Sequence, residues 1–173
     1  GGRFRRWLRD RHPQPYNSWG NGSAMRVSSV GWLYNDLETV RRMARLSADV
    51  THNHPEGIKG AVATATAIFL ALKHGKEFML TALKDFYPTW VEPQLRKNPS
   101  NETCQGPLPV VLGILNKAHN FEEALRYAIA VGGDSDTIGA IVGAIAEAIW
   151  GIPENIVQEA LHYLPEPMRK VID

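Results

Sequence analysis

The sequence predicts an all-α fold, and three observations carry that expectation. Apolar residues recur at steps of three and four along most of the chain, which is the spacing of one helix face. Pro, Asp, Asn and Gly stand where helices should start and stop. No segment alternates apolar and polar residues with a period of two, and no internal repeat is visible. Short connections between antiparallel helices are therefore expected.

Taken in order, residues 1–14 are dominated by arginine, with Phe4, Trp7 and Leu8 at helical spacing. This reads as a helix end with a solvated basic face, or as an anion-binding arm. Residues 13–23 hold Pro13, Pro15, Asn17, Ser18, Gly20 and Gly22, so no regular element fits there. A structureless run of that length tends to be functional or disordered, and its aromatic residues Tyr16 and Trp19 argue against disorder. From Ala24 onward Val27, Val30, Leu33 and Leu37 repeat at helical steps. Asp36 is the expected N-cap of a helix through Leu46, with Glu38 in its first turn.

Pro55 and Glu56 mark the start of an Ala- and Thr-rich helix to Lys73, ended by His74-Gly75. Its small side chains suit close packing, so it is expected to be central. A shorter amphipathic helix over 77–87 should stop before Pro88, and 88–103 read as a surface excursion. Gly106-Pro107 opens a helix carrying Leu108, Val111, Leu112 and Leu115 on one face. Asn120 caps the next, with Leu125, Ala128 and Ile129 expected inward. A nearly uncharged helix follows from Ile138 to Trp150, with no charge before Glu147, which predicts burial. Gly151 closes it, Pro153 starts a helix to Leu164, and Pro165 and Pro167 precede a last short turn.

The chain has 173 residues, 44% of them hydrophobic, enough for the core of one domain, and residues 1–173 are expected to form a single one. A formal net charge of +1 does not describe a polyelectrolyte binder, so nucleic acid is not an expected partner. One cysteine, Cys104, cannot make an internal disulfide, which suits a reducing compartment. The most apolar stretch, Ile138 to Ala146, is far shorter than the roughly 17–25 residues of a membrane span. A cytoplasmic protein without membrane association is the expectation. The chain opens Gly1-Gly2-Arg3 without an initiator Met or a signal sequence, and it is expected to be the C-terminal portion of a longer protein.

The sharpest chemistry lies in Gly132-Gly133-Asp134-Ser135-Asp136-Thr137. Two carboxylates two residues apart, with a hydroxyl beside the second, are oxygen donors of the kind Mg²⁺ prefers. The glycines permit a tight turn, and a cation would relieve the repulsion between the acids. A capped helix start without metal is the competing reading, because Asp and Ser are also good N-caps. Asn21-Gly22-Ser23 likewise precedes a helix, where backbone amides can hold phosphate or hydroxyl groups, or where Ser23 simply caps. His52 and His54 flank another helix start as ligands, acid/base groups, sugar-binding donors or loop-holding residues. Cys104 has no acid/base partner in the pattern and reads as structural.

In order along the chain, Gly20-Asn21-Gly22-Ser23-Ala24-Met25-Arg26, Thr51-His52 with Gly57 and Gly60-Ala61, Cys104-Gln105-Gly106, Gly132-Gly133-Asp134-Ser135-Asp136-Thr137 and Gly143-Ala144 together resemble the ADP-ribosylglycohydrolase family, from about Phe4 to the end. The resemblance implies a helical fold with a two-metal Mg²⁺ or Mn²⁺ centre. It also implies hydrolysis of the N- or O-glycosidic bond between ADP-ribose and an acceptor on a protein or small molecule. It makes Asp134, Asp136 and Thr137 metal ligands, with Asp134 and Asp136 catalytic. It puts Asn21, Gly22, Ser23, His52, Gly133 and Ser135 against the ribose and phosphates. The family's Thr-Asp-Asp motif and an earlier Glu, which supply the other ligands, are absent from this sequence. The resemblance therefore implies a metal centre completed by a segment upstream of Gly1. Two rival readings are a non-catalytic module that binds ADP-ribose or a partner, and an unrelated zinc site built from His52, His54, Asp134 and Asp136.

Overall fold

A computed structural model describes residues 2–95 and 102–172, and these residues form ten helices. The helices are α1 (Gly2–Arg9), α2 (Gly22–Arg26), α3 (Ser28–Leu33), α4 (Leu37–Asp49), α5 (Pro55–Leu83), α6 (Pro107–Lys117), α7 (Phe121–Ala130), α8 (Ser135–Trp150), α9 (Glu154–Tyr163) and α10 (Glu166–Ile172). Among the described residues the only β-type pairing is an isolated antiparallel bridge between Gly20 and Thr103. The all-α expectation holds.

Helix α5 is the axis of the molecule, packing against α2, α3, α4, α6 and α8. Its interior face is built from Ala61, Ala63, Ala65, Ala67 and Ile68, all buried. Small side chains bring neighbouring helices close. The buried hydroxyl of Thr64 is satisfied by the Gly60 carbonyl one turn back, at 2.9 Å. The expected end at His74-Gly75 appears as a break at Gly75, where φ is 80° and helical backbone resumes beyond it. Lys76, just past the break, donates to the Asn116 and Ala118 carbonyls at 3.0 and 2.7 Å and so ties the second arm to the end of α6.

Caps behave as the sequence indicates at α4 and α7. The Asp36 carboxylate accepts from the Thr39 amide at 2.7 Å, and Asn120 accepts from the Glu123 amide at 2.8 Å. Four expectations need correction. The helix from Ala24 is interrupted at Val27 into α2 and α3, and Leu33 is 69% exposed. Ile129 does not face inward, being 63% exposed, while Ala124 and Ala128 carry the buried face of α7. The second arm of α5 ends at Leu83, and 84–86 form a turn before Pro88. Helix α8 buries one face through Ile138, Ile141, Val142 and Ile145, whereas Ala140 is exposed. Residues 96–101 of the expected surface excursion lie outside the described residues.

Candidate functional site

The site is built where three helices begin. The loops before α2, α5 and α8 converge, and residues from all three line a cavity of about 600 Å³. The first loop is held from both sides. The Asn17 amide donates to the Asn53 side chain at 2.7 Å and the Ser18 amide to the Thr51 carbonyl at 3.4 Å. Farther on, the Asn21 amide donates to the Glu102 carbonyl at 2.8 Å and the Cys104 amide to the Trp19 carbonyl at 3.1 Å. Asn17 takes the left-handed conformation with φ 53°, which asparagine tolerates better than most residues.

Asp134 occupies the N-cap position of α8, yet its carboxylate makes no capping bond. Instead it accepts from the Asn21 side-chain amide at 2.7 Å, across 113 positions of sequence. A hydrogen bond to a charged acceptor is among the stronger ones. The Asp134 side chain therefore does not serve as the cap of α8. Gly132 and Gly133 have φ of 72° and 71°, a backbone that residues with a Cβ rarely adopt, and they aim the acidic loop at the cavity. Thr137 is buried, lines the cavity and donates to the Met25 sulfur at 3.5 Å. Asp136 is exposed in the first turn of α8, where the helix dipole favours a negative charge.

His52 is 8% exposed and lines the same cavity. Its Nδ1 lies 2.7 Å from the Thr51 hydroxyl, which itself accepts from the Arg26 guanidinium at 3.0 Å. Burial, and then the positive charge of Arg26, push the His52 imidazole down to about 4, so the ring is neutral at pH 7. Ser23 faces the opposite way. Its hydroxyl is fully buried and donates to the Gly57 carbonyl at 2.7 Å, so it neither caps α2 nor lines the cavity. Gly22 lines the cavity, whereas Gly133, Ser135 and Asp136 do not.

His54 caps α5, its Nδ1 accepting from the Glu56 amide at 3.2 Å, and its ring packs edge-on against Trp19 at 5.4 Å. Among the described residues no group of three or more His, Cys, Asp or Glu is placed to hold a metal ion, so the zinc site of His52, His54, Asp134 and Asp136 is not assembled. Asp134, Asp136 and Thr137 suit a hard divalent cation in kind, but three oxygen donors fall short of the six or so such an ion takes. Of the three, Asp134 and Thr137 line the cavity and Asp136 does not.

Cys104 is 0% exposed and donates to the Gly20 carbonyl at 3.2 Å. Burial raises its thiol to about 11, which suits a structural role. Sequence reasoning gave no role to Arg26, Thr51 or Tyr16, all placed at or behind the cavity. Arg26 and Thr51 stand inside segments singled out by motif, but no spacing rule pairs position 26 with position 51. Among the described residues no helix is long and apolar enough to cross a membrane.

The family profile described as ADP-ribosylglycohydrolase matches residues 2–173. ADP-ribosylhydrolase ARH3 of Homo sapiens is 26% identical over 209 residues, covering 84% of this chain and 55% of that protein. An uncharacterized protein of Archaeoglobus fulgidus is 33% identical over 155 residues, covering 78% of this chain and 51% of its own length. The chain thus spans about half the length of the curated relatives it matches. A solved structure described as an ADP-ribosylglycohydrolase-related protein complex superposes with a TM-score of 0.73 at 27% identity, over 90% of this chain and 60% of its own. On the match across residues 2–173, the chain belongs to the ADP-ribosylglycohydrolase family.

Proposed function

We propose that the cavity between the starts of α2, α5 and α8 binds ADP-ribose and serves hydrolysis of the glycosidic bond joining ADP-ribose to an acceptor. The observation that carries this reading is the Asn21–Asp134 hydrogen bond, 2.7 Å long, at the wall of a cavity that His52 and Thr137 also line. Family membership supplies the substrate class. The cavity volume, about 600 Å³, falls in the range of small-ligand sites.

Asp134, Asp136 and Thr137 would hold Mg²⁺ or Mn²⁺, with further oxygen ligands of a two-metal centre coming from a segment outside these 173 residues. Bound there, the metal ions supply Lewis-acid polarisation and orientation of ribose hydroxyls and water. Asn21 fixes the rotamer of Asp134. Neutral His52 offers a hydrogen bond to a ribose or phosphate oxygen. As ligands the Asp134 and Asp136 carboxylates would offset the cation's charge and fix its place against the ribose.

The test is calorimetry with Mn²⁺, with and without ADP-ribose, together with release of ADP-ribose from ADP-ribosylated arginine and serine substrates. Asp136→Ala should weaken metal binding far more than Cys104→Ala, and equal effects would sink the ligand assignment. The small donor set among the described residues favours one second reading, a module that binds ADP-ribose without cleaving it. Metal-independent ADP-ribose binding without turnover is its signature.

A further inference from the structure

A hydrogen-bond chain runs from Arg26, which lines the cavity, behind its wall to His52. Arg26, at the end of α2, donates through Nη2 to the Ser47 carbonyl at 2.7 Å and to the Thr51 hydroxyl at 3.0 Å. The Thr51 hydroxyl lies 2.7 Å from His52 Nδ1, and both groups are buried. The His52 amide donates to the Ala48 carbonyl at 2.7 Å, which fixes the backbone under the ring. The other ring nitrogen, Nε2, faces the cavity side, where a Cβ added to Gly22 or Gly20 would stand 3.4 or 3.5 Å from it.

The direction of each bond in the chain is constrained. Guanidinium is donor-only, so Thr51 must accept from Arg26. A hydroxyl has one proton to give, and giving it to His52 Nδ1 satisfies all three groups at once. In the opposite tautomer Nδ1 would donate, Thr51 would accept twice, and its own proton would need an acceptor that neither of these contacts supplies. A buried donor left unmade costs about 1–3 kcal/mol.

We propose that Arg26 and Thr51 are positioning residues that lock His52 as the Nε2–H tautomer, a neutral hydrogen-bond donor aimed into the cavity at an oxygen of the bound ligand. With ADP-ribose as that ligand, the proposal rests on the functional reading above. The depressed proton affinity of His52 adds support, because a ring that stays neutral keeps one defined donor through the physiological range.

Nitrogen NMR of the intact chain reads the His52 tautomer directly, without ligand. Nε2–H is expected in the native protein. Thr51→Val should release the lock, seen as Nδ1–H population, and lower ADP-ribose affinity roughly tenfold, the worth of one well-placed hydrogen bond. Thr51→Ser should restore both, which a packing role for the methyl group would not do. Arg26→Met, read by the tautomer alone because Arg26 also lines the cavity, gives a second route to release of the lock should Thr51→Val fail to fold. A native Nδ1–H tautomer, or a tautomer unmoved by either variant, overturns the proposal. A tautomer that moves while ADP-ribose binds as before overturns the His52 hydrogen bond to the ligand, whereas a native Nε2–H protein that binds no ADP-ribose overturns the functional reading and leaves the lock standing.

Discussion

Replacing Asn21 by Asp sets a second carboxylate against Asp134 with no other change in shape. Two effects add. The variant loses the 2.7 Å amide-to-carboxylate bond, worth about 1.5–3 kcal/mol for a charged acceptor. It also brings two like charges to about 4 Å, costing roughly 4 kcal/mol at an effective dielectric of 20 and less where solvent reaches Asp134. Solvent at the half-buried Asp134 screens much of the repulsion, so a net loss of roughly 2–4 kcal/mol at pH 8 is expected. At roughly 2–4 °C per kcal/mol for a chain of this size, the melting temperature should fall by roughly 4–16 °C. The sign with pH follows. The carboxyl's folded-state proton affinity is raised, so the loss is full well above the unfolded value and shrinks as pH falls toward it. Mn²⁺ should narrow the gap to the native protein, since a cation turns the same pair into ligands. Thermal unfolding in chelator at pH 8 and pH 5, then with Mn²⁺, measures all three. An Asn21→Asp protein as stable as the native one in chelator at pH 8 would refute the reasoning.

The depressed value of His52 makes its own prediction. Its stabilising effect is present above about 6.5, is lost as pH falls from there to about 4, and changes no further below. Urea unfolding at stepped pH should show a loss of roughly 2–3 kcal/mol in that window, at about 1.4 kcal/mol per unit, and His52→Gln should flatten it. Gly60→Ala would drive a Cβ to 2.8 Å from the Cys104 Cβ in a closed core. A destabilisation of roughly 1–3 kcal/mol is expected by chemical denaturation. The Cys104 thiol, buried and raised to about 11, should resist alkylation in the folded protein at pH 7.5 and react at once in denaturant.

The sequence was most informative where local chemistry is self-sufficient. Asp36 and Asn120 cap as expected because a cap needs only its own first turn. Pro55 and Gly75 bound the central helix stretch because proline and a positive φ act without tertiary help. The acidic loop and the Asn-Gly-Ser segment were visible as motifs, but their joining was not, since nothing local relates position 21 to position 134. Ile129 and Leu33 depart from the expected inward face because periodicity gives a stripe and not its partner. The buried face of α7 runs through Phe121, Ala124 and Ala128, one step round from the face that includes Ile129. Ser23 looked like a surface cap or a ligand contact, and its direction was decided by the Gly57 carbonyl, which no sequence pattern assigns to it.

The inward turn of Ser23 explains how polar loops at helix ends can hold a fixed cavity. A loop on the surface of a helical fold is ordinarily the mobile part. Here the first loop is pinned from beneath by polar contacts to the core. Ser23 holds the Gly57 carbonyl, Cys104 holds the Gly20 carbonyl, and the two side chains lie 3.7 Å apart. The close approach of α5 at Gly60 admits the Cys104 side chain, and any larger residue at 60 would remove it. The small-residue surface of α5 therefore does more than bring helices together. It makes room for the anchors that set the first loop at the height of Asp134 and His52. On this argument the glycines of the central helix and the polar groups of the cavity are one structural unit, and the geometry of the site is set from the core outward.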